Sequence, residues 1–178
     1  KNNTVKRFVF ASSSSAYGDT PTLPKIETMI PRPKSPYAIN KIVGEYYCKV
    51  YWEHYQVPTI AFRYFNVFGP NQDPNSQYSA VIPKFIHALR HNKAPIIFSN
   101  GEQTRDFTYI DNVIQANLNA CHIDKKHCGE VYNIGCGDRI SVNDLAQAIM
   151  SIMNIQIDIN YQPARPGDVR DSLASIEK

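Results

Sequence analysis

Two short apolar runs, "FVFA" at Phe8–Ala11 and "TIAFRYF" at Thr59–Phe65, flank a single helical stretch, and each passes into polar residues. The helix starts at "SPYAINK". Ser35 suits an N-cap, Pro36 suits the first helical position, and apolar periodicity continues to about Gln56. An apolar run of strand length, a helix of five turns and a second apolar run make a strand, helix, strand unit. Its strands are parallel and buried on both faces. The chain is therefore predicted to be α/β.

Further along, Ile82–His91 reads as helical, and "PIIFSN", "DFTYI" and "EVYNIG" read as strands. "DNVIQANLNAC" and "SVNDLAQAIMSIM" read as helices, the second with Ser141 and Asp144 in capping-box positions. "RYFNVFGP" reads as one strand stopped by Gly69 and Pro70, and Phe8–Ala11 as a strand that breaks into four serines. Open α/β sheets place ligands outside the carboxyl ends of their strands, where both the serines and "RYFNVFG" fall. The glycine-rich loop that cradles a dinucleotide has no counterpart here. "NIGCGDR" supplies only Gly135 and Gly137, and reads as a turn.

With 43% hydrophobic and 20% charged residues among 178, the chain is globular, and its net charge of +3 is interspersed, without the basic block that favours nucleic acid. No apolar run has membrane-spanning length, so a cytoplasmic protein is expected, with no nucleic-acid or membrane partner. Cys48, Cys121, Cys128 and Cys136 form no CxxC pair and read as free thiols. "CHIDKKHC" could be imagined around zinc, but its spacing fits the end of a helix and a loop better, and no metal is expected.

In "SPYAINK" a tyrosine stands four residues before a lysine, so Tyr37 and Lys41 share one helix face. Alone, that spacing describes any helix start with a surface lysine. Five motifs in order give it meaning: "SSSSAYG", "SPYAINK", "RYFNVFGP", "GEQTRDFTYIDN" and "RPGDVRDS". Together they resemble the extended short-chain dehydrogenase/reductases that act on nucleotide sugars, over nearly the whole chain. The resemblance implies the C-terminal part of a Rossmann-like doubly wound parallel sheet, plus a smaller α/β substrate-binding domain. Residues 1–80 would belong to the NAD-binding domain and 81–178 mainly to the substrate domain, with segments near 106–136 returning to the Rossmann sheet. It also implies that roughly a hundred residues carrying the glycine-rich loop precede this segment in such enzymes.

Within that family the residues before "YG" sort the chemistry. Dehydratases place acids there, because eliminating water needs a general acid and a base. Ser14 and Ser15 stand here instead. "SSSSAYGD", "DPNSQYSAVIP" and "RPGDVRDS" most resemble the UDP-N-acetylglucosamine 4-epimerases of bacterial polysaccharide synthesis. That implies NAD as cofactor and a UDP-hexose as substrate, inverted at C4 through a 4-keto sugar. Tyr37 would be the base, supported by Lys41, and Ser13 would hold the C4 oxygen. Tyr37, Lys41 and Tyr64 would lie against the cofactor, and Ser14 and Ser15 against the sugar. Asn66, Arg105 and Arg165 would meet the diphosphate, and the segment from Ala80 and Val81 to Ile82 the uracil. Asp168 would accept from the ribose, and the small Ser172 would leave room for an N-acetyl group. A UDP-glucuronate-type 4-epimerase and a non-catalytic nucleotide-sugar binder share most of these residues.

The helix carries two apolar stripes. Tyr37, Lys41, Gly44, Cys48, Trp52 and Tyr55 are expected to face sheet and site. Ile39, Val43, Tyr46, Tyr47 and Val50 lie nearly opposite, to be covered by another helix of the chain or, as the resemblance implies, by a second copy in a homodimer.

Overall fold

The computed structural model describes residues 4–75, 80–165 and 168–178. Residues 76–79 of "DPNSQYSAVIP" and 166–167 of "RPGDVRDS" lie outside the described residues. β1 (Phe8–Ser13), β2 (Thr59–Tyr64) and β7 (Val131–Ile134) form a parallel sheet in the order β1-β2-β7. α1 (Pro36–Tyr55) connects β1 to β2 and packs on both. α3 (Ile110–His122) packs against β7, with Ile60, Phe62 and Ala120 buried together between helix and sheet. Helices on the two faces of a parallel sheet make this a Rossmann-like α/β arrangement.

A second core gathers Phe85 and Leu89 of α2 (Val81–Arg90), Ile97 of β4 (Ile96–Phe98), and Val142, Leu145, Ala146 and Ile149 of α4 (Val142–Met153). Small sheets surround it. β4 pairs in parallel with β9 (Asn160–Gln162), and β5 (Thr104–Arg105) pairs antiparallel with β8 (Ile140–Ser141). Ser141 caps α4 by accepting from the Asp144 N–H, as its motif predicts.

Three expectations need correction. β1 does not stop at Ala11 but takes in Ser12 and Ser13, which pair with Arg63 and Tyr64 of β2, because ladder bonds to a buried neighbour outweigh the weak strand preference of serine. "RYFNVFGP" is not one strand. The backbone turns at Asn66, where φ is +27°, and resumes as β3 (Val67–Phe68), paired with β6 (Thr108–Tyr109). The inward face of α1 is Ala38, Ile42, Glu45 and Cys48, whereas Tyr37 and Tyr55 are more than half exposed. Tyr37 and Tyr55 lie about five full turns apart, so the stripe keeps its heading along the helix; it runs to one side of the buried face, with Tyr37 and Lys41 on the cleft and Gly44 against Phe10. The opposite stripe, Ile39, Val43, Tyr46, Tyr47 and Val50, is 44–61% exposed, so no helix among the described residues covers it.

The depth at which α1 sits is set by close contacts. A Cβ on Gly44 would lie 2.1 Å from the Phe10 ring, so only glycine admits this approach. The Thr59 hydroxyl donates to the Cys48 carbonyl at 2.6 Å, and Lys41 Nζ donates to the Ala11 carbonyl at 2.6 Å.

Candidate active site

The carboxyl ends of β1 and β2 open into a cleft of about 510 Å³. Its walls include Ser13, Ser14, Ser15, Tyr37, Lys41, Tyr64, Asn66, Ala80, Arg105 and Ser172, which come from segments far apart in sequence. The serines arrive because β1 carries Ser13 to its end and a 3₁₀ turn, Ser14–Tyr17, follows. Ser13 caps that turn, its Oγ accepting from the Ser15 N–H at 3.2 Å. The Ser15 hydroxyl is buried and has no hydrogen-bond partner among the described residues.

Tyr37 lies on the first turn of α1, 52% exposed, and Lys41 Nζ stands 5.3 Å from its ring centroid. The lysine is held there by the Ala11 carbonyl and also lies 5.5 Å from the Phe10 ring. Tyr64 is half-buried, its hydroxyl paired with the Asn117 amide on α3, and burial pushes its pKa up.

On the other wall, Asn66 Nδ2 donates to the Asp106 carbonyl at 2.8 Å and to Ser172 Oγ at 3.0 Å. Both side-chain hydrogens of Asn66 are thus used within the wall. Ser172 is 8% exposed and also accepts from the Asp106 N–H. Arg105 lines this cleft and an adjoining cavity of about 160 Å³, which Asn66 and Ala80 share with it. Val81, Phe98, Arg165 and Asp168 belong to that smaller cavity. Burial pushes the Arg105 pKa down, opposed by Asp168 and Asp171, and its Nη1 donates to the Thr104 and Arg170 carbonyls at 2.8 Å. Arg165 and Asp168 pair with each other at 3.1 Å, and the Arg165 guanidinium stacks 4.3 Å from the Phe98 ring centroid.

Several residues of the site escaped sequence reasoning. Asp171 lines the cleft and accepts from the N–H and hydroxyl of Thr104 at 3.0 and 2.6 Å. Lys25, from the proline-rich loop, is 2% exposed and donates to Thr20 O, Thr20 Oγ1 and Thr22 O, so its three protons are all engaged. Asp106 is fully buried and accepts from the N–H groups of Cys136, Gly137 and Ala174. Its neighbour Arg105 in "RDF" was the available signal. Two of the N–H groups of "GCG" thus serve a carboxylate of the protein. Cys128 receives the Arg7 guanidinium and His127 contacts Tyr132, and no cluster of three metal-binding side chains occurs among the described residues. A larger cavity of about 840 Å³ lies between α4 and the segment that leads into β9, with Gln147, Ile155, Asp158 and Tyr161 in its lining, and holds none of the site residues.

Residues 1–135 match the family model for the NAD dependent epimerase/dehydratase family. The chain belongs to that family. It is 42% identical to the UDP-N-acetylglucosamine 4-epimerase of Methanobrevibacter ruminantium M1, solved with UDP-N-acetylmuramic acid (TM-score 0.94, covering 99% of this chain and 56% of that one). The UDP-glucuronic acid 4-epimerase of Bacillus cereus, solved with UDP-glucuronic acid and NAD, is 34% identical (TM-score 0.87, 96% and 52%). The human dTDP-D-glucose 4,6-dehydratase is 36% identical over 84% of this chain and 41% of its own length. The chain thus spans about half the length of the relatives it matches. Members of the epimerase/dehydratase family depend on NAD, whose nicotinamide accepts and returns a hydride. Here Tyr37, Lys41 and Tyr64, gathered in one cleft at the strand ends, would hold the reactive end of that cofactor, whereas Cys136 and Gly137 of the one GxG segment give their N–H groups to Asp106.

Proposed function

We propose that this chain carries the catalytic and sugar-binding half of an NAD-dependent UDP-hexose 4-epimerase that accepts the N-acetylated hexose. The observation that carries the reading is one cleft lined by Ser13, Tyr37, Lys41 and Ser172, with hydroxyls at Ser14 and Ser15. Tyr37 takes the proton of the C4 hydroxyl as hydride leaves C4, with Lys41 stabilising the phenolate. Ser13 hydrogen-bonds the same oxygen and keeps it in line. The 4-keto sugar then turns over and regains hydrogen on its other face, so the nucleotide must be held while the hexose moves. Arg105, together with Arg165, Asp168, Ala80 and Val81 of the adjoining cavity, supplies that hold. The unpaired Ser15 hydroxyl suits a sugar hydroxyl.

Residues 1–80, with β7 and α3, form the cofactor side, and the core around α2 and α4 the nucleotide-sugar side. Such a reaction serves the synthesis of surface polysaccharide precursors. The exposed stripe of α1 is the face through which two copies pair. Dehydration is disfavoured because a serine hydroxyl is too weak an acid to protonate a departing hydroxide. A uronate is disfavoured because Lys25 has no free proton to offer its carboxylate and Asp171 repels it. Incubation of the full-length protein with UDP-GlcNAc, UDP-glucose and UDP-glucuronate tests this. Interconversion with the C4 epimers of the first two is expected, and a 4-keto-6-deoxy product or turnover of the uronate alone would overturn it.

A further inference from the structure

Beneath the site lies a buried ion pair that the reaction does not touch. Glu45, on α1 two turns beyond Tyr37, is 6% exposed, and Arg63, on β2, is 3% exposed. The two meet as a fork, Nε to Oε1 at 2.9 Å and Nη2 to Oε2 at 2.7 Å. The Ser12 hydroxyl donates to Glu45 Oε1 as well, and Ser12 is the register partner of Arg63 in the sheet. The guanidinium lies 4.5 Å from the ring centroid of Tyr17, the last residue of the turn that bears Ser14 and Ser15. The Tyr17 hydroxyl in turn donates to Asn133 Oδ1 on β7 at 2.6 Å. Arg63 Nη1 has no hydrogen-bond partner among the described residues.

One guanidinium therefore stands between the helix that bears Tyr37 and Lys41 and the turn that bears the serines. A buried ion pair gives little net stability over an apolar pair of the same volume, and an unsatisfied Nη1 weakens the case further. What a fork provides and an apolar contact does not is one fixed distance and angle. Apart from this pair, α1 is tied to the sheet by apolar contacts and by two single hydrogen bonds, Thr59 to the Cys48 carbonyl and Lys41 to the Ala11 carbonyl, each of which can pivot as the helix slides by a fraction of a turn. Hydrogen bonds from Ser12 and Arg63 to one carboxylate stop that motion.

We infer that Glu45 and Arg63 are positioning residues, which set Tyr37 of α1 against Ser13 of β1. The inference rests on the epimerase reading for its kinetic consequence and on geometry alone for its structural one. In the full-length protein, Glu45→Leu combined with Arg63→Met removes the pair without leaving a charge unpaired. Turnover should fall about 10- to 100-fold while KM for the UDP-hexose changes by no more than about threefold, because misplacement by an ångström costs that much in rate and little in binding. Arg63→Lys, which keeps the charge but not the fork, should show the same split to a smaller degree. Wild-type turnover in the double variant, or loss of folded protein with unchanged turnover per folded molecule, would overturn the inference. Crystal structures of both variants supply a readout that needs no reaction. A change of about 1 Å or more in the Tyr37 Oη to Ser13 Oγ separation supports positioning, and superimposable sites overturn it even if the protein proves not to be an epimerase.

Discussion

At the residue scale, the site depends on few atoms. On the proposed mechanism Tyr37→Phe removes the base and keeps the ring, so turnover should drop by about three orders of magnitude or more with nucleotide-sugar affinity within a few-fold, as measured by steady-state kinetics and calorimetry. Ser172 is a different kind of residue. Its hydroxyl is a strut for Asn66 rather than a contact kept free for substrate, and on the proposed reading its contribution to choice of sugar is its small size. Ser172→Tyr should abolish activity on UDP-GlcNAc and spare UDP-glucose, since steric exclusion outweighs the roughly 1 kcal/mol that one hydrogen bond contributes. Competition between the two sugars reads this directly. Equal loss on both would mean that Ser172 acts only through Asn66.

At the element scale, α1 and the C-terminal segment are the parts most open to perturbation. Gly44→Ala puts a methyl group into the Phe10 ring and should lift α1 from β1, costing about 1–3 kcal/mol by chemical denaturation. The C-terminal segment is fastened by carboxylates. Asp19 accepts from the Arg170 N–H, which lowers its pKa. Burial would raise the Asp171 carboxyl, but the hydrogen bonds of Thr104 and the charges of Arg139 and Arg170 bring it below the ordinary aspartate value. Carboxyls depressed in the folded state contribute stability that is fully present above their unfolded pKa of about 4 and is lost as pH falls through the lower folded values. The thermal midpoint should therefore hold from neutrality to about pH 5 and fall below about pH 4, and Asp171→Asn should flatten that fall while lowering the midpoint at pH 7.

At the scale of the whole molecule, two surfaces call for partners. β1 pairs only with β2 among the described residues, and Phe8 near that edge is 48% exposed. The 178-residue chain by itself should not bind NAD at micromolar concentration, because the donors of its GxG segment are engaged by Asp106 and it has no glycine-rich loop. Titration calorimetry checks this, and saturable micromolar binding would place the pyrophosphate on residues not considered above. The apolar stripe of α1 should pair two copies of the full-length protein. Val43→Glu with Tyr47→Glu should yield monomers in sedimentation velocity, and an unchanged dimer would put the interface elsewhere.

By itself the sequence determined what depends on near neighbours along the chain. The cap at Ser35, the helix it begins, the shared face of Tyr37 and Lys41, the apolar strands and the α/β class all follow from spacing and side-chain chemistry. The order of five motifs pointed to the family. Tertiary structure alone decided what depends on residues far apart. Ser12 extends β1 because Arg63 lies beside it, Asn66 breaks the second strand to reach Asp106 and Ser172, and Glu45 is buried because Ser12 and Arg63, from other segments, satisfy its charge. A charged side chain reads as a surface residue in sequence because burying it alone is prohibitive. Only the fold supplies the hydrogen bonds that make burial possible, and with them the distances on which the site depends.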